Sequence, residues 1–213
     1  MLENGADLHA KDENGKTSFH FACENGHQEV VMPLIEAGAN LHAKDNAGWT
    51  ALHLALGRGY MDIVAFLAKN GSDLNAKYAS GMTPVHWVTY NGYLKILKLL
   101  LECGADPNSK QDSDGKTALH LTCETDRSKF AKLLIEKGAD LDAKDNDGNT
   151  PLHIACREGH LEVAQLLLSR GANVHLKTTQ GSTLLDVASE RNHLDIVWFL
   201  VRENPSLVLE HVD

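Results

Sequence analysis

The sequence predicts an all-α array of stacked helix-turn-helix units joined by short β-hairpin loops, and three observations carry the prediction. Gly15, Gly48, Gly81, Gly115, Gly148 and Gly181 recur at intervals of 33, 33, 34, 33 and 33 residues, a fixed period of the kind that marks solenoids. Each is followed two residues later by threonine, at Thr17, Thr50, Thr83, Thr117, Thr150 and Thr183. A G-[AS]-[DN] triplet, starting at Gly5, Gly38, Gly71, Gly104, Gly138 and Gly171, closes each unit before the next turn.

The elements follow in order from the clearest unit, DNDGNTPLHIACREGHLEVAQLLLSRGANVHLK, residues 145–177. Asp145 to Gly148 is turn chemistry, with Gly148 suited to positive φ. Thr150 is an N-cap and Pro151 sits at the first helical position, where a missing N–H costs nothing. Leu152, Ile154 and Ala155 give this first helix a small apolar face, and Gly159 breaks it. Leu161, Val163, Leu166 and Leu167 form the stripe of a second, antiparallel helix, which Gly171 ends. Neither helix is long enough to be stable alone, so each unit must bury its stripe against its neighbours.

These residues resemble the ankyrin-repeat family, whose period is 33 residues and whose motif is T-P-L-H-x-A. The matches are T-A-L-H-L-A at 50–55 and T-P-L-H-I-A at 150–155, with the variants T-S-F-H-F-A, T-P-V-H-W-V and T-A-L-H-L-T. The resemblance covers essentially the whole chain. It implies a single domain over 1–213: a partial unit at 1–11, repeats at 12–44, 45–77, 78–110, 112–144 and 145–177, a C-terminal repeat or cap at 178–203 and a tail at 204–213. It also implies a curved solenoid whose hairpin tips and first helices line a concave binding surface.

The array departs from its own pattern in several places. Pro33 lies inside a second helix, where proline removes a hydrogen bond at about 3 kcal/mol, so that end is expected to be soft. Gln111 is an extra residue in the hairpin between the third and fourth units. Asp126 and Asn192 replace the glycine between helices, a swap their tolerance of the left-handed region permits. Both ends read as unfinished and should expose apolar surface. Asp186 replaces the motif histidine. Trp198 occupies an outward position on its helix, and Leu207 to Val212, or a downstream domain, is expected to fold over it.

Composition narrows the function. The chain has 213 residues, 43% of them hydrophobic, enough for a sizeable core. A net charge of −9 argues against nucleic-acid or anionic-membrane partners, which need clustered Lys and Arg. No apolar run reaches a membrane span and no secretion signal heads the sequence, so the chain reads as cytoplasmic or otherwise intracellular.

Twelve histidines invite a metal reading, but His20, His53, His86, His120 and His153 are the motif histidine repeated once per unit. Packed helices lie about 8–10 Å apart, too far for such residues to share a zinc ligated at about 2 Å. The same spacing applies to His9, His42 and His175, at a position normally asparagine in the family, and to His27, His160 and His193. Cys23, Cys123 and Cys156 share one first-helix position, and adjacent units keep them beyond the roughly 7 Å a disulfide requires; they read as core thiols. No nucleophile–base set and no metal or nucleotide motif is present. The expectation is no enzyme, no catalytic or metal residue and no cofactor.

The family's concave surface is implied at the second, third and fifth residues of each unit, the end of the first helix and the last residue. The last residue forms a lysine row, Lys11, Lys44, Lys77, Lys110, Lys144 and Lys177. Large apolar groups enter these columns only in the second and third units, as Trp49, Met82 and Tyr90, with Tyr78 where a turn aspartate is expected. Aromatics rimmed by charge are the usual appearance of a protein-binding patch; alternatively Trp49 and Tyr78 pack on each other across a hairpin. Trp87 is expected in the core, because its equivalents are Phe21, Leu54, Leu121, Ile154 and Val187. The expected partner is therefore a protein, anchored on Trp49, Tyr78, Met82 and Tyr90 with polar contacts from Arg58 and Lys116. The chain itself is expected to be monomeric, with apolar ends able to self-associate. The alternative is an ankyrin segment of a larger protein, such as a microbial effector, enzyme or channel, whose activity lies elsewhere.

Overall fold

The computed structural model describes residues 7–78 and 81–209. The Gly5 marker and tail residues 210–212 lie outside them. The chain divides into two compact units, Met1–Asp106 and Pro107–Asp213. The first carries α1 (Ser18–Glu24), α2 (Gln28–Glu36), α3 (Ala51–Arg58), α4 (Met61–Lys69), α5 (Pro84–Asn91) and α6 (Leu94–Glu102). The second carries α7 (Ala118–Glu124), α8 (Ser128–Glu136), α9 (Pro151–Glu158), α10 (Leu161–Ser169), α11 (Leu184–Glu190), α12 (Leu194–Glu203) and the short α13 (Ser206–Leu209). Within each unit odd-numbered helices pack on odd-numbered ones, α1 on α3 and α3 on α5, then α7 on α9 and α9 on α11. The even-numbered helices form a second layer, α2 on α4 on α6 and α8 on α10. Leu52, Leu56, Ile63, Leu67, Leu97 and Leu100 fill the space between layers in the first unit, and Leu119, Leu134, Leu152, Ile154 and Leu167 do so in the second.

The connecting loops turn as hairpins without extending into strands, and no β-strand occurs among the described residues. Asp45 N–H bonds to the Trp49 carbonyl at 2.9 Å, and Gly48 N–H to the Asp45 carbonyl at 3.0 Å. The side chain reinforces the turn, since Asp45 Oδ1 accepts the N–H groups of Ala47 and Trp49. The extra residue of the fourth hairpin is absorbed inside the turn. There Gln111 takes the anchoring position, with its N–H on the Lys116 carbonyl and its own carbonyl on Gly115 N–H. Pro33 is tolerated within α2 because Pro33 and Glu29, whose carbonyl loses its partner, both face solvent, where water can replace the bond. Asp126 and Asn192 adopt φ of 52° and 61°, taking over the glycine conformation between helices.

The motif histidine links one repeat to the next. The Thr17 N–H donates to His20 Nδ1 at 3.1 Å, and the same bond recurs at Thr50–His53, Thr83–His86, Thr117–His120 and Thr150–His153. Because Nδ1 accepts, the ring proton belongs on Nε2. That proton reaches a carbonyl in the following hairpin: His20 to Ala43 at 3.0 Å, His53 to Ala76 at 2.9 Å, His120 to Asn149 at 3.1 Å. His153 Nε2 lacks a partner in bonding geometry, although the nearby Leu176 carbonyl partly offsets the effect of its burial. At Asp186 the carboxylate keeps the cap, accepting Thr183 N–H at 2.7 Å, but has no proton to donate onward.

A second bridge runs along the ends of the units. Asn75 Oδ1 accepts Asp106 N–H at 2.9 Å, Asn108 Oδ1 accepts Asp140 N–H at 2.7 Å, and Asp142 Oδ1 accepts Asn173 N–H at 2.9 Å. The three cysteines of the first-helix column are buried and unpaired. Burial pushes the Cys23 and Cys156 thiols up to about 12 and raises Cys123 as well, which makes them poor nucleophiles. α13 tucks against α12 and buries Leu207. It does not cover Trp198, which stays 65% exposed with the Arg202 guanidinium 5.0 Å from its ring centroid. The expected fold-back is therefore corrected as far as Leu207: the turn after Asn204 seats that residue beside the core, not over the outer face of α12.

Candidate functional site

The hairpins and odd-numbered helices present the face on which the candidate residues lie. In the first unit, Trp49 and Tyr78 pack against each other with ring centroids 5.4 Å apart and planes at 45°. The Tyr78 hydroxyl donates to Met82 Sδ at 3.3 Å, and the ring meets His53 edge-on at 5.1 Å. The cross-hairpin pairing and the apolar patch are thus one feature, because Trp49, Tyr78 and Met82 all remain half-exposed. The turn aspartate is missing where it would have stood, at Tyr78, and an aromatic ring takes its place.

Arg58 closes the α3 end of this face. Its Nη2 donates to Glu24 Oε1 at 2.9 Å, while Lys16 Nζ holds Glu24 Oε2. The Lys16 bond and then the Arg58 bond keep the Glu24 carboxyl below the usual carboxylate range. Trp49 and Arg58 line a shared open pocket of about 620 Å³ together with Leu54, Asn46 and Gly57. Gly57 lies beside the indole: a Cβ there would sit 3.4 Å from Trp49 Cζ3, so the ring faces bare backbone.

Tyr90 is 60% exposed at the end of α5. Lys116 lies in the second unit, held by Glu124 and by Asp114 at 3.3 Å. Burial works to lower its pKa, but the bonds to Glu124 and Asp114 outweigh it and the net direction is upward. The structure therefore brings together Trp49, Tyr78 and Met82 and adds Arg58 through the pocket; Tyr90 lies at the end of α5 and Lys116 in the second unit.

Two aromatics on this face escaped the sequence reading. Trp87 is half-exposed, not core, and stacks on Tyr93 with centroids 5.7 Å apart and planes 6° from parallel. Phe21, in the same column, is 42% exposed with Lys16 Nζ 5.8 Å from its ring centroid. Leu54, Leu121, Ile154 and Val187 disappear at that position because an aliphatic side chain fits the slot; a larger ring extends out of it. Ring size was the available signal.

The lysine row is also more organised than its sequence implies. Lys11 Nζ donates to the Lys44 carbonyl at 2.9 Å, Lys110 to that of Lys144 at 2.6 Å, and Lys144 to that of Lys177 at 3.0 Å. Each ammonium thus ties its own hairpin to the next.

Short helix pairs capped by a threonine–histidine couple and bridged hairpin to hairpin define a helical-repeat protein. The family profile "Ankyrin repeats (3 copies)" matches residues 1–78, 59–111, 85–178 and 145–210, and the chain belongs to the ankyrin-repeat family. Among solved structures, the ankyrin repeat domain of Bcl-3, described as a unique member of the IkappaB protein family, is similar to it. That structure superposes with a TM-score of 0.80 at 30% identity, over 92% of this chain and 88% of that one. No curated protein matches the chain in sequence. Ankyrin repeats are generally protein–protein interaction modules and generally non-catalytic. No helix among the described residues is long and apolar enough to cross a membrane.

Proposed function

We propose that this chain is a non-catalytic scaffold that holds a partner protein against its hairpin and first-helix face, the concave face of the family. Trp49 is the principal anchor, Tyr78, Met82 and Tyr90 are further apolar contacts, and Arg58 and Lys116 are polar ones. The observation that carries this reading is the half-exposed Trp49–Tyr78 pair beside an open pocket, on a scaffold whose other face positions are mostly polar. Tryptophan, tyrosine and arginine are the residue types on which interface energy concentrates. Unpaired cysteines throughout the described residues fit a reducing, intracellular setting.

The experiment is partner capture from the native source with wild type and the Trp49→Ala, Tyr90→Ala double variant. Capture should be lost while helical circular dichroism is unchanged, because neither side chain is buried. Undiminished capture by the double variant would overturn the reading. A second reading draws on Leu194 and Trp198, each 65% exposed on α12: the array serves as the interaction segment of a larger protein that covers this outer helix face.

A further inference from the structure

Resting on that proposed groove, we infer that the segment it takes is acidic and apolar: a carboxylate that pairs with Arg58, next to an apolar side chain that lies on Trp49 over Gly57. The charged groups lining the pocket are Lys16, Glu24, Asp45 and Arg58, balanced in formal charge but not in bonding capacity. Both Glu24 oxygens are occupied, Oε2 by Lys16 and Oε1 by Arg58. Asp45 Oδ1 carries the Ala47 and Trp49 N–H groups of its own turn. Glu24 is thus committed through both oxygens, and a cationic partner would compete there with bonds already made.

Arg58 is in the opposite condition. A guanidinium has five N–H donors, and this one spends a single nitrogen on Glu24 while its side chain stays 61% exposed. Its planar fork is built to take a carboxylate through two parallel bonds. The neighbouring surface is the indole of Trp49 and the bare backbone of Gly57, with room in a pocket of about 620 Å³. At the next turn Tyr78 stands where an aspartate would have supplied negative charge, so the approach to Trp49 from that side is aromatic, not anionic.

Panning a phage library of short random peptides on the full chain tests this, with enriched peptides then measured by fluorescence polarisation on wild type, Trp49→Ala, Arg58→Gln and Arg58→Glu. Enriched sequences should share an Asp or Glu beside an aliphatic or aromatic residue. Their affinity should fall about tenfold on Arg58→Gln, the size expected for a charge-assisted bidentate contact, and at least as far on Trp49→Ala. Arg58→Glu should invert the preference, favouring copies in which the acid is replaced by lysine. Peptides lost on Trp49→Ala but indifferent to both Arg58 variants would overturn the acidic specificity and leave the groove standing. Peptides that bind Trp49→Ala as well as wild type would overturn both. No enrichment at all would overturn the inference, since it requires a short segment to suffice, and would assign the groove to a folded partner.

Discussion

The two units share one scaffold and differ in what they show on it. In both, threonine caps each first helix and, in five of the six helix pairs, the motif histidine accepts that threonine's N–H. At the fifth position of each repeat they diverge. The first unit places Lys16 there, tied to Glu24, and then Trp49 and Met82, joined through Tyr78. The second places Lys116, tied to Glu124, and Asn149, 5% exposed with its amide on the Asp145 carboxylate. The polar groups Lys116 and Asn149 are answered from within the second unit, whereas Trp49, Tyr78 and Met82 pack on one another and stay half-buried in the first. The comparison teaches that the residues holding the fold and those of the proposed binding patch sit in separate columns of the repeat, so each can be perturbed alone.

Acid offers the largest perturbation, and it should strike both units alike because it acts on the shared columns. Burial depresses His53 and His153 from 6.5 to about 4 and lowers His20 and His120 too. The folded state then binds the proton less tightly than the unfolded chain, so protonation favours unfolding. This stabilisation is full above about pH 6.5 and is lost as pH falls toward about 4, on the order of 3 kcal/mol for each of His53 and His153. Geometry gives the same sign, since a proton on Nδ1 would face the threonine N–H. Asp12, held low by the Lys16 N–H, and Glu24 lose their contributions at lower pH, through and below the ordinary carboxylate range. Calorimetric Tm should therefore be level from pH 8 to 7 and decline steeply between roughly 6.5 and 4.5. Trp198→Phe leaves Trp49 and Trp87, both in the first unit, as fluorescence reporters of that unit. Its transition should follow the same pH dependence as whole-chain circular dichroism, and a pH-independent transition there would break the symmetry claimed for the scaffold.

Much of this division was legible in the sequence, because the caps, turns and apolar stripes are local and each is stated six times over. The threonine–histidine spacing of three residues places both groups on one helical turn wherever it occurs. The left-handed Asp126 and Asn192 could be foreseen for the same reason. What stayed hidden depends on the neighbouring repeat. The Asn75, Asn108 and Asp142 bridges and the lysine-to-carbonyl ladder span about one period, and composition cannot distinguish them from solvated polar residues. Trp87 reads as core on the hydrophobicity of its column, but ring size decides how far a side chain extends from the slot, and its indole stays half-buried.

A buried hydroxyl sharpens the contrast between the cores at intermediate magnitude. Thr89 in α5 is fully buried and its Oγ1 has no hydrogen-bond partner, while the equivalent position holds Cys23 in the first unit and Cys123 and Cys156 in the second, buried thiols that need none. Thr122, one residue from Cys123, shows how a buried threonine is normally satisfied, donating to the Leu119 carbonyl at 2.7 Å. Thr89→Cys substitutes a weakly polar group of similar size, and should stabilise the chain by about 1–2 kcal/mol by removing an unanswered polar atom. Urea unfolding should show a higher midpoint with an unchanged slope; a lower midpoint would mean that the hydroxyl has a partner after all.

The smallest effect lies at the interhelix turns and favours the second unit. The three turns of the first unit have glycine with positive φ, at Gly26, Gly59 and Gly92, whereas the second unit uses Asp126, Gly159 and Asn192. A side chain in the left-handed region costs roughly 1 kcal/mol, and least for Asp and Asn, whose short polar groups bond locally. Glycine would remove that strain but gain freedom in the unfolded chain, which offsets part of it. Asp126→Gly and Asn192→Gly should each raise stability by only about 0.5 kcal/mol, while the reverse change Gly59→Asn should lower it by a similar amount. Gly59 is the informative site because a Cβ there meets nothing within 4 Å, so the measured difference is backbone strain net of unfolded-chain entropy, with no packing change. Gly26→Asn would also drive a Cβ to 2.6 Å from the Tyr60 ring. Its cost should exceed that at Gly59, and the gap between the two variants isolates the packing of Tyr60 over the preceding turn.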